Sequence, residues 1–188
     1  MTVNRRQMFV GAGAALIAGS NPVHAARVDT GLQMLATDQA HCESAQIPEE
    51  LRSAVEKYNA ASRAFMNGDP KLLQAGYSHC ADVTIFGGFG GYEHGWNEQV
   101  EKRLAWAAAR FRGGALTSEN ISLIVAPALA CNVGLEHLRV QLDGVEGIVN
   151  IDLRVTTVFR REDKQWKVVH RHADPLVKVQ DSASIVRR

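Results

Sequence analysis

Near the C-terminus, the run Gln165-Trp166-Lys167-Val168-Val169-His170-Arg171-His172-Ala173-Asp174 places two imidazoles one residue apart. An imidazole changes charge near neutral pH, so the pair could serve as general acid, general base or hydrogen-bond donor. Strict strand alternation puts Trp166, Val168, His170 and His172 on one face and Lys167, Val169, Arg171 and Ala173 on the other. Trp166 should be buried and Lys167 should not. His170 and His172 are therefore expected to face a covered concavity and are the candidate catalytic residues. A bulge before His170 would reverse that assignment. The plainer alternative has both rings bonding to neighbouring strands or lining a dimer contact. His-x-His also has ligand spacing, with Asp174 or His137 as a third ligand. Two ligands define no site, so no metal is assigned.

Other residues suited to a pocket are Tyr58, Trp96 and Trp106. Tyr58 sits on an apolar helical stripe, where its hydroxyl could enter a cavity or simply reach solvent from the core. Trp96 and Trp106 are ten positions apart, about 80° around a helix axis, so both could wall a cavity or pack the core. Arg154 and Arg160 share a strand face with Thr156 and Val158 and read as surface charges on an open sheet face. The Gly87-Gly88-Phe89-Gly90-Gly91 turn is no phosphate cradle, because neither the Lys-Ser/Thr step nor a parallel β-α unit accompanies it. No Gly-x-Ser-x-Gly nucleophile elbow occurs, and no motif calls for a cofactor.

Elements able to hold these residues follow from periodicity. Leu51, Val55, Tyr58, Ser62 and Phe65 recur at three- and four-residue steps, predicting an amphipathic helix from Pro48. Asn67-Gly68-Asp69-Pro70 ends it and opens a second short helix to Ala75. Val83–Phe86 reads as a strand. Asn97–Phe111 reads as the longest helix, stopped by Gly113-Gly114. Four long strands follow, at Leu116–Ala126, Ala130–Leu142, Gly147–Arg161 and Gln165–Ala173, with turns at Asp143-Gly144 and Glu162-Asp163-Lys164. Helices grouped ahead of hairpin-linked strands predict an α+β fold with a curved antiparallel sheet covered on one face.

Ahead of this domain, Arg5 and Arg6 precede a mild apolar run and the small-residue pattern ending at Ala25. That is the layout of a signal peptide, and the paired arginines resemble a twin-arginine leader. The expected organisation is residues 1–25 signal, 26–47 linker, 48–178 domain and 179–188 polar tail, with a periodic helical turn at most around Leu32–Leu35. The expected location is the periplasm or the exterior, with no membrane attachment after cleavage. The chain carries 21 Lys and Arg against 20 Asp and Glu, and a near-neutral domain with no basic block gives no footprint for nucleic acid. The roughly 160 residues after Ala25 can bury enough surface to fold without a metal or disulfide. Of the cysteines, Cys80 and Cys131 read as small buried hydrophobes, and a Cys42–Cys80 bridge stays open.

Three stretches together resemble the SnoaL-like branch of the NTF2-like, or ketosteroid-isomerase-like, superfamily. They are Tyr58-Asn59-Ala60 leading to Asn67-Gly68-Asp69, then Asp82–Phe86 with Gly95-Trp96, then Leu153–Asp163 with Gln165–Asp174. The final hairpin is also similar to the association domain of calcium/calmodulin-dependent kinase. The resemblance implies a cone-like sheet wrapped around N-terminal helices. It would put the isomerase tyrosine, base and buried acid near Ala61, Gly87 and Thr156, and the kinase-type pocket arginines near Thr156 and Ala173. None is preserved, so neither steroid isomerisation by that mechanism nor that anion site is expected. Three readings follow. The first is a pocket for a small, partly apolar molecule, held without turnover. The second is a lyase, isomerase or cyclase using His170 or His172. The third is a dimeric scaffold. Homodimerisation is expected in each.

Overall fold

A computed structural model describes residues 46–186. The leader with Arg5, Arg6 and Ala25, the turn at Leu32–Leu35 and Cys42 lie outside the described residues. Helix α1 spans Glu49–Phe65, α2 Lys71–Gly76 and α3 Glu101–Ala108. The strands are β1 Thr84–Phe86, β2 Tyr92–His94, β3 Phe111–Val125, β4 Leu129–Leu142, β5 Ile148–Glu162 and β6 Gln165–Pro175. No helix among the described residues is long and apolar enough to cross a membrane.

In α1, Glu49 and Glu50 occupy the first turn, where the helix dipole favours negative charge. The stripe Leu51, Val55, Tyr58, Ser62 and Phe65 is buried against the sheet, as the spacing predicts. Gly68, at φ 86°, supplies the left-handed turn that lets the chain reverse into α2.

The expected long helix is shorter. Trp96–Val100 forms an irregular turn with non-helical backbone at Asn97 and Glu98, and regular helix begins only at Glu101. Phe111 already belongs to β3, and Gly113-Gly114 continue that strand instead of stopping a helix. The reason is local. At Gly114, where φ is 153°, a Cβ would stand 2.6 Å from the Arg139 carbonyl oxygen, so only glycine lets β3 lie this close to β4. A second strand, β2, was hidden in the sequence by its three-residue length.

The six strands run in the order β2-β1-β6-β5-β4-β3. The antiparallel, cone-like sheet expected above is overturned here. β1 pairs parallel with β6, Thr84 opposite His170 and Phe86 opposite His172, which makes the sheet mixed. β2 and β3 stand at opposite edges without pairing to each other, so the sheet is open and is neither closed nor strongly curled. Residue alternation reports which face a side chain takes but not the direction of the neighbouring strand. β1 reaches β6 through a long connection, and no hairpin forces the two to be antiparallel.

One irregularity governs everything that follows. Val158 pairs with His170, but the next residue, Phe159, pairs with Val168, leaving Val169 as an extra residue in β6. This bulge shifts the alternation by one position. Trp166 and Val168 point into the core before it, and Arg171 and Ala173 do so after it. His170 and His172 are turned to the opposite face, beside Phe86. Deleting Val169 would restore unbroken alternation and withdraw Arg171 from its buried partner Glu136. The expected cost is about 3–5 kcal/mol, read by urea unfolding. A loss under about 1 kcal/mol would show that the bulge does not set the strand's faces.

Candidate functional site

Beneath the helices lies a cavity of about 140 Å³. α1 contributes Tyr58, Ser62 and Phe65 to its wall, and α3 contributes Leu104 and Ala107. Leu116 on β3, Leu138 on β4 and Ile151 and Leu153 on β5 supply the sheet side. The Gly87–Phe89 turn and Arg103 border it too, with Arg103 donating to the Gly90 carbonyl. Gly88 leaves room here that no larger residue would, since a Cβ would meet Leu153 at 3.2 Å.

The lining is mostly apolar; apart from Ser62 and Arg103, its polar groups gather at one corner, where Tyr58, Tyr77, Glu136 and Arg171 meet. Arg171 donates from Nε to the Tyr58 hydroxyl at 2.8 Å and from Nη2 to Glu136 Oε2 at 2.6 Å. The Arg171 side chain is 13% exposed and that of Glu136 7%. Burial pulls the Arg171 guanidinium down, but Glu136 and the two tyrosine hydroxyls outweigh it and leave it raised. Burial raises Tyr58, with Arg171 opposing, so the phenol keeps its proton. Tyr77 is pushed further up, again by burial first and then by the neighbouring Tyr58. Its hydroxyl comes close to Tyr58 yet forms no hydrogen bond of good geometry with any protein group.

Of the sequence-derived pocket residues, Tyr58 lines the cavity. Trp96 does not; it is buried behind Tyr77 and stacks on His79 at 4.0 Å. Trp106 stands outside the lining, 39% exposed, with the Arg110 guanidinium 3.3 Å from its ring centre and Phe89 edge-on at 5.9 Å. His170 and His172 are on the far face of the sheet, so the concavity expected for them is corrected by the Val169 bulge. Both rings lie 5.3 Å from Phe86, and His170 Nδ1 is 2.7 Å from Thr84 Oγ1.

Partners offered for a metal are otherwise engaged. Asp174 pairs with Arg154, and His137 Nδ1 lies 2.7 Å from Asp152 Oδ1. No group of three His, Cys, Asp or Glu side chains suited to a metal converges among the described residues. Arg160 binds Asp82 and Glu162, tying the β5–β6 turn to the segment before β1. Cys80, expected to be buried, is exposed.

Sequence reasoning missed Arg171, Glu136 and Tyr77. Unbroken alternation assigned Arg171 to the outside, and only the bulge turns it inward. Glu136 carried a usable signal, being an acid flanked in alternation by the apolar Gly134 and Leu138 on a strand face that is otherwise buried. Of the isomerase-type positions, Gly87 does line the cavity but offers no carboxylate, and Thr156 is on the far face. Glu136 is the lone carboxylate in the lining, already bound to Arg171, and neither His nor Cys joins it. The arrangement is therefore suited to holding and orienting a molecule and offers no evident nucleophile–base pair.

Residues 51–177 match the SnoaL-like domain. Among solved structures, the chain is similar to an NTF2-like superfamily protein from Salmonella enterica serovar Typhimurium, with TM-score 0.61 and 16% identity over 71% of this chain and 93% of that one. It is also similar to a candidate dehydratase of the NTF2-like family from Streptomyces avermitilis, with TM-score 0.58 and 19% identity over 69% and 96%. A ketosteroid isomerase-like protein from Erwinia carotovora atroseptica gives TM-score 0.56 and 15% identity over 70% and 100%. At these identities the likeness is one of fold alone. No curated protein matches.

Two of the imidazoles should titrate on opposite sides of 6.5. His170 is lowered by burial and by the nearby His172, whereas hydrogen bonding to Asp152 raises His137. Because the folded chain disfavours protonated His170, its contribution to stability is present above 6.5 and is lost as pH falls through the window below that value. Imidazole NMR titration should give a midpoint below 6.5 for His170 and above it for His137. The reverse order would refute the placement of both rings.

Proposed function

The chain belongs to the SnoaL-like family within the NTF2-like superfamily, and from that premise we propose that it binds a small, largely apolar molecule in the cavity between its helices and sheet. The observation that carries this reading is the cavity itself: about 140 Å³, walled by Phe65, Leu104, Phe111, Leu138 and Leu153, with one hydrogen-bonding corner. Concave, mostly apolar sites with a few convergent polar groups are the usual form of ligand pockets. Binding is favoured over turnover, because Glu136 is committed to Arg171 and His170 and His172 face away. The likeness to the candidate dehydratase and the isomerase-like protein is one of fold, and fold does not fix function.

The test is occupancy against a filled cavity. Fluorobenzene should bind the wild-type protein, seen as broadening of its fluorine NMR line. Ala107→Phe, which projects a ring from α3 into the space, should abolish the broadening while the protein still unfolds cooperatively. Equal broadening in both proteins would place the probe elsewhere and defeat the reading.

Pairing with a second copy is proposed for the opposite sheet face. Phe86, Tyr92 at 72% exposure and Ile124 at 63% are apolar side chains left uncovered there. Closed two-fold pairing would cover the same patch on both copies. Light scattering after size exclusion should give twice the chain mass, and Tyr92→Asp with Ile124→Lys should halve it. A wild-type monomer at tens of micromolar would end this proposal.

A further inference from the structure

The polar corner of the cavity is selective in charge and in hydrogen bonding, and this gives the ligand a chemical class. The inference rests on the binding proposed above. Arg171 and Glu136 are held together at 2.6 Å, both largely buried, so their charges cancel inside the corner. An anionic ligand would have to compete with Glu136 for the guanidinium and leave a buried carboxylate unpaired, which is costly. A cationic ligand would meet Arg171. The corner therefore has no free charge to offer.

It does have a free donor. Tyr77 is 1% exposed, lines the cavity, and its hydroxyl has no protein partner. Burial keeps its proton on. A buried polar group without a partner is unfavourable, and a bound molecule that supplies an acceptor removes the penalty. The Tyr58 oxygen lies nearby and receives Arg171 Nε, but it forms no hydrogen bond of good geometry with the Tyr77 hydroxyl. The remaining wall is hydrocarbon apart from the Ser62 hydroxyl and Arg103, whose guanidinium is engaged by the Gly90 carbonyl and the Trp106 ring. The size is also informative: an apolar cavity of about 150 Å³ accommodates a benzene-sized molecule, and this one is about 140 Å³. Polycyclic ligands exceed this volume.

We propose that the cavity takes a compact, uncharged molecule of about six to ten non-hydrogen atoms whose single oxygen acceptor, such as a carbonyl, receives the Tyr77 hydroxyl. Ring or chain carbons of that molecule lie against Phe65, Leu104, Leu138 and Leu153. Tyr77 is thus the specificity-determining residue of the site.

Three probes of matched size separate the possibilities: acetophenone, which carries a carbonyl; cumene, its hydrocarbon analogue; and benzoate, its anionic one. Each is titrated into wild-type protein and into Tyr77→Phe, with dissociation constants read by ligand-observed NMR and folding checked by thermal unfolding. Tyr77→Phe removes only the unpartnered hydroxyl, so it should unfold at the same temperature or higher. Acetophenone should weaken about five- to tenfold in the variant, while cumene is unchanged or tighter. Benzoate should bind more weakly than acetophenone to both proteins. If Tyr77→Phe shifts acetophenone and cumene alike, or leaves both unchanged, the Tyr77 assignment is overturned although the pocket stands. Tighter benzoate than acetophenone overturns the uncharged class. Failure of all three to bind the wild type at millimolar concentration overturns the pocket and this inference together.

Discussion

A guanidinium inside an apolar core is costly unless its charge is paired, and that requirement organises the helix-covered side of this sheet. Arg171 comes from β6, Glu136 from β4 two strands away, and Tyr58 from α1. Between the two charged strands runs β5, whose Thr157 pairs with Arg171 in register and is itself buried. The side chains of Arg171 and Glu136 must therefore span β5 on the same face, and the α1 stripe must sit above them for Tyr58 to close the set. Helix position, strand register and the hand of the β6 bulge all answer to one ion pair. Losing one member of such a pair costs more than the pair contributes, because a lone charge stays buried. The pair is better read as a device that specifies one packing than as a source of stability.

The same ion pair shapes the cavity. Long polar side chains lie flat against each other and do not fill space as Leu or Phe would. The cavity is bordered by Gly87 and Gly88, which bring no side chain into it. Around it the aromatic residues sit on the margin: Phe89 touches both Trp106 and Phe111, and Trp106 is flanked by Arg103 and Arg110. These cation–π contacts brace α3 and the glycine turn from outside. Trp106 thus supports the wall without lining it, a role that spacing on a helix could not distinguish from a place in the pocket.

How much was readable in advance depended on how regular each element is. The α1 stripe, β4 and β5 follow simple periods, and these elements, the second short helix and β6 lie within a position or two of the expected bounds. The SnoaL-like resemblance rested on Tyr58-Asn59-Ala60, on Asp82–Phe86 and on the final hairpin, and these stretches fall within the matched residues 51–177. What failed to show were departures from period. Glu98, at φ 68°, breaks a pattern that looks like continuous helix from Asn97. The parallel contact of β1 with β6 leaves no trace in either strand's alternation. The site suffered most, because a single inserted residue, Val169, exchanges the two faces of β6 beyond it. Beyond it, His170 and His172 gave way to Arg171; Trp96 and Trp106 also fell outside the lining, Glu136 and Tyr77 joined it from β4 and the segment after α2, and Tyr58 stayed.

That exchange also separates two kinds of chemistry that the sequence had merged. The imidazoles stand on the other face of the sheet, in contact with Phe86, where partial burial disfavours the charged form of His170. The tyrosines and the Arg171–Glu136 pair occupy a dry corner, where a proton or charge out of place is costly. One strand therefore carries titratable groups outward and fixed hydrogen bonds inward. Protonation of His170 acts on the uncovered sheet face, whereas on the cavity side burial keeps the Tyr58 and Tyr77 hydroxyls protonated.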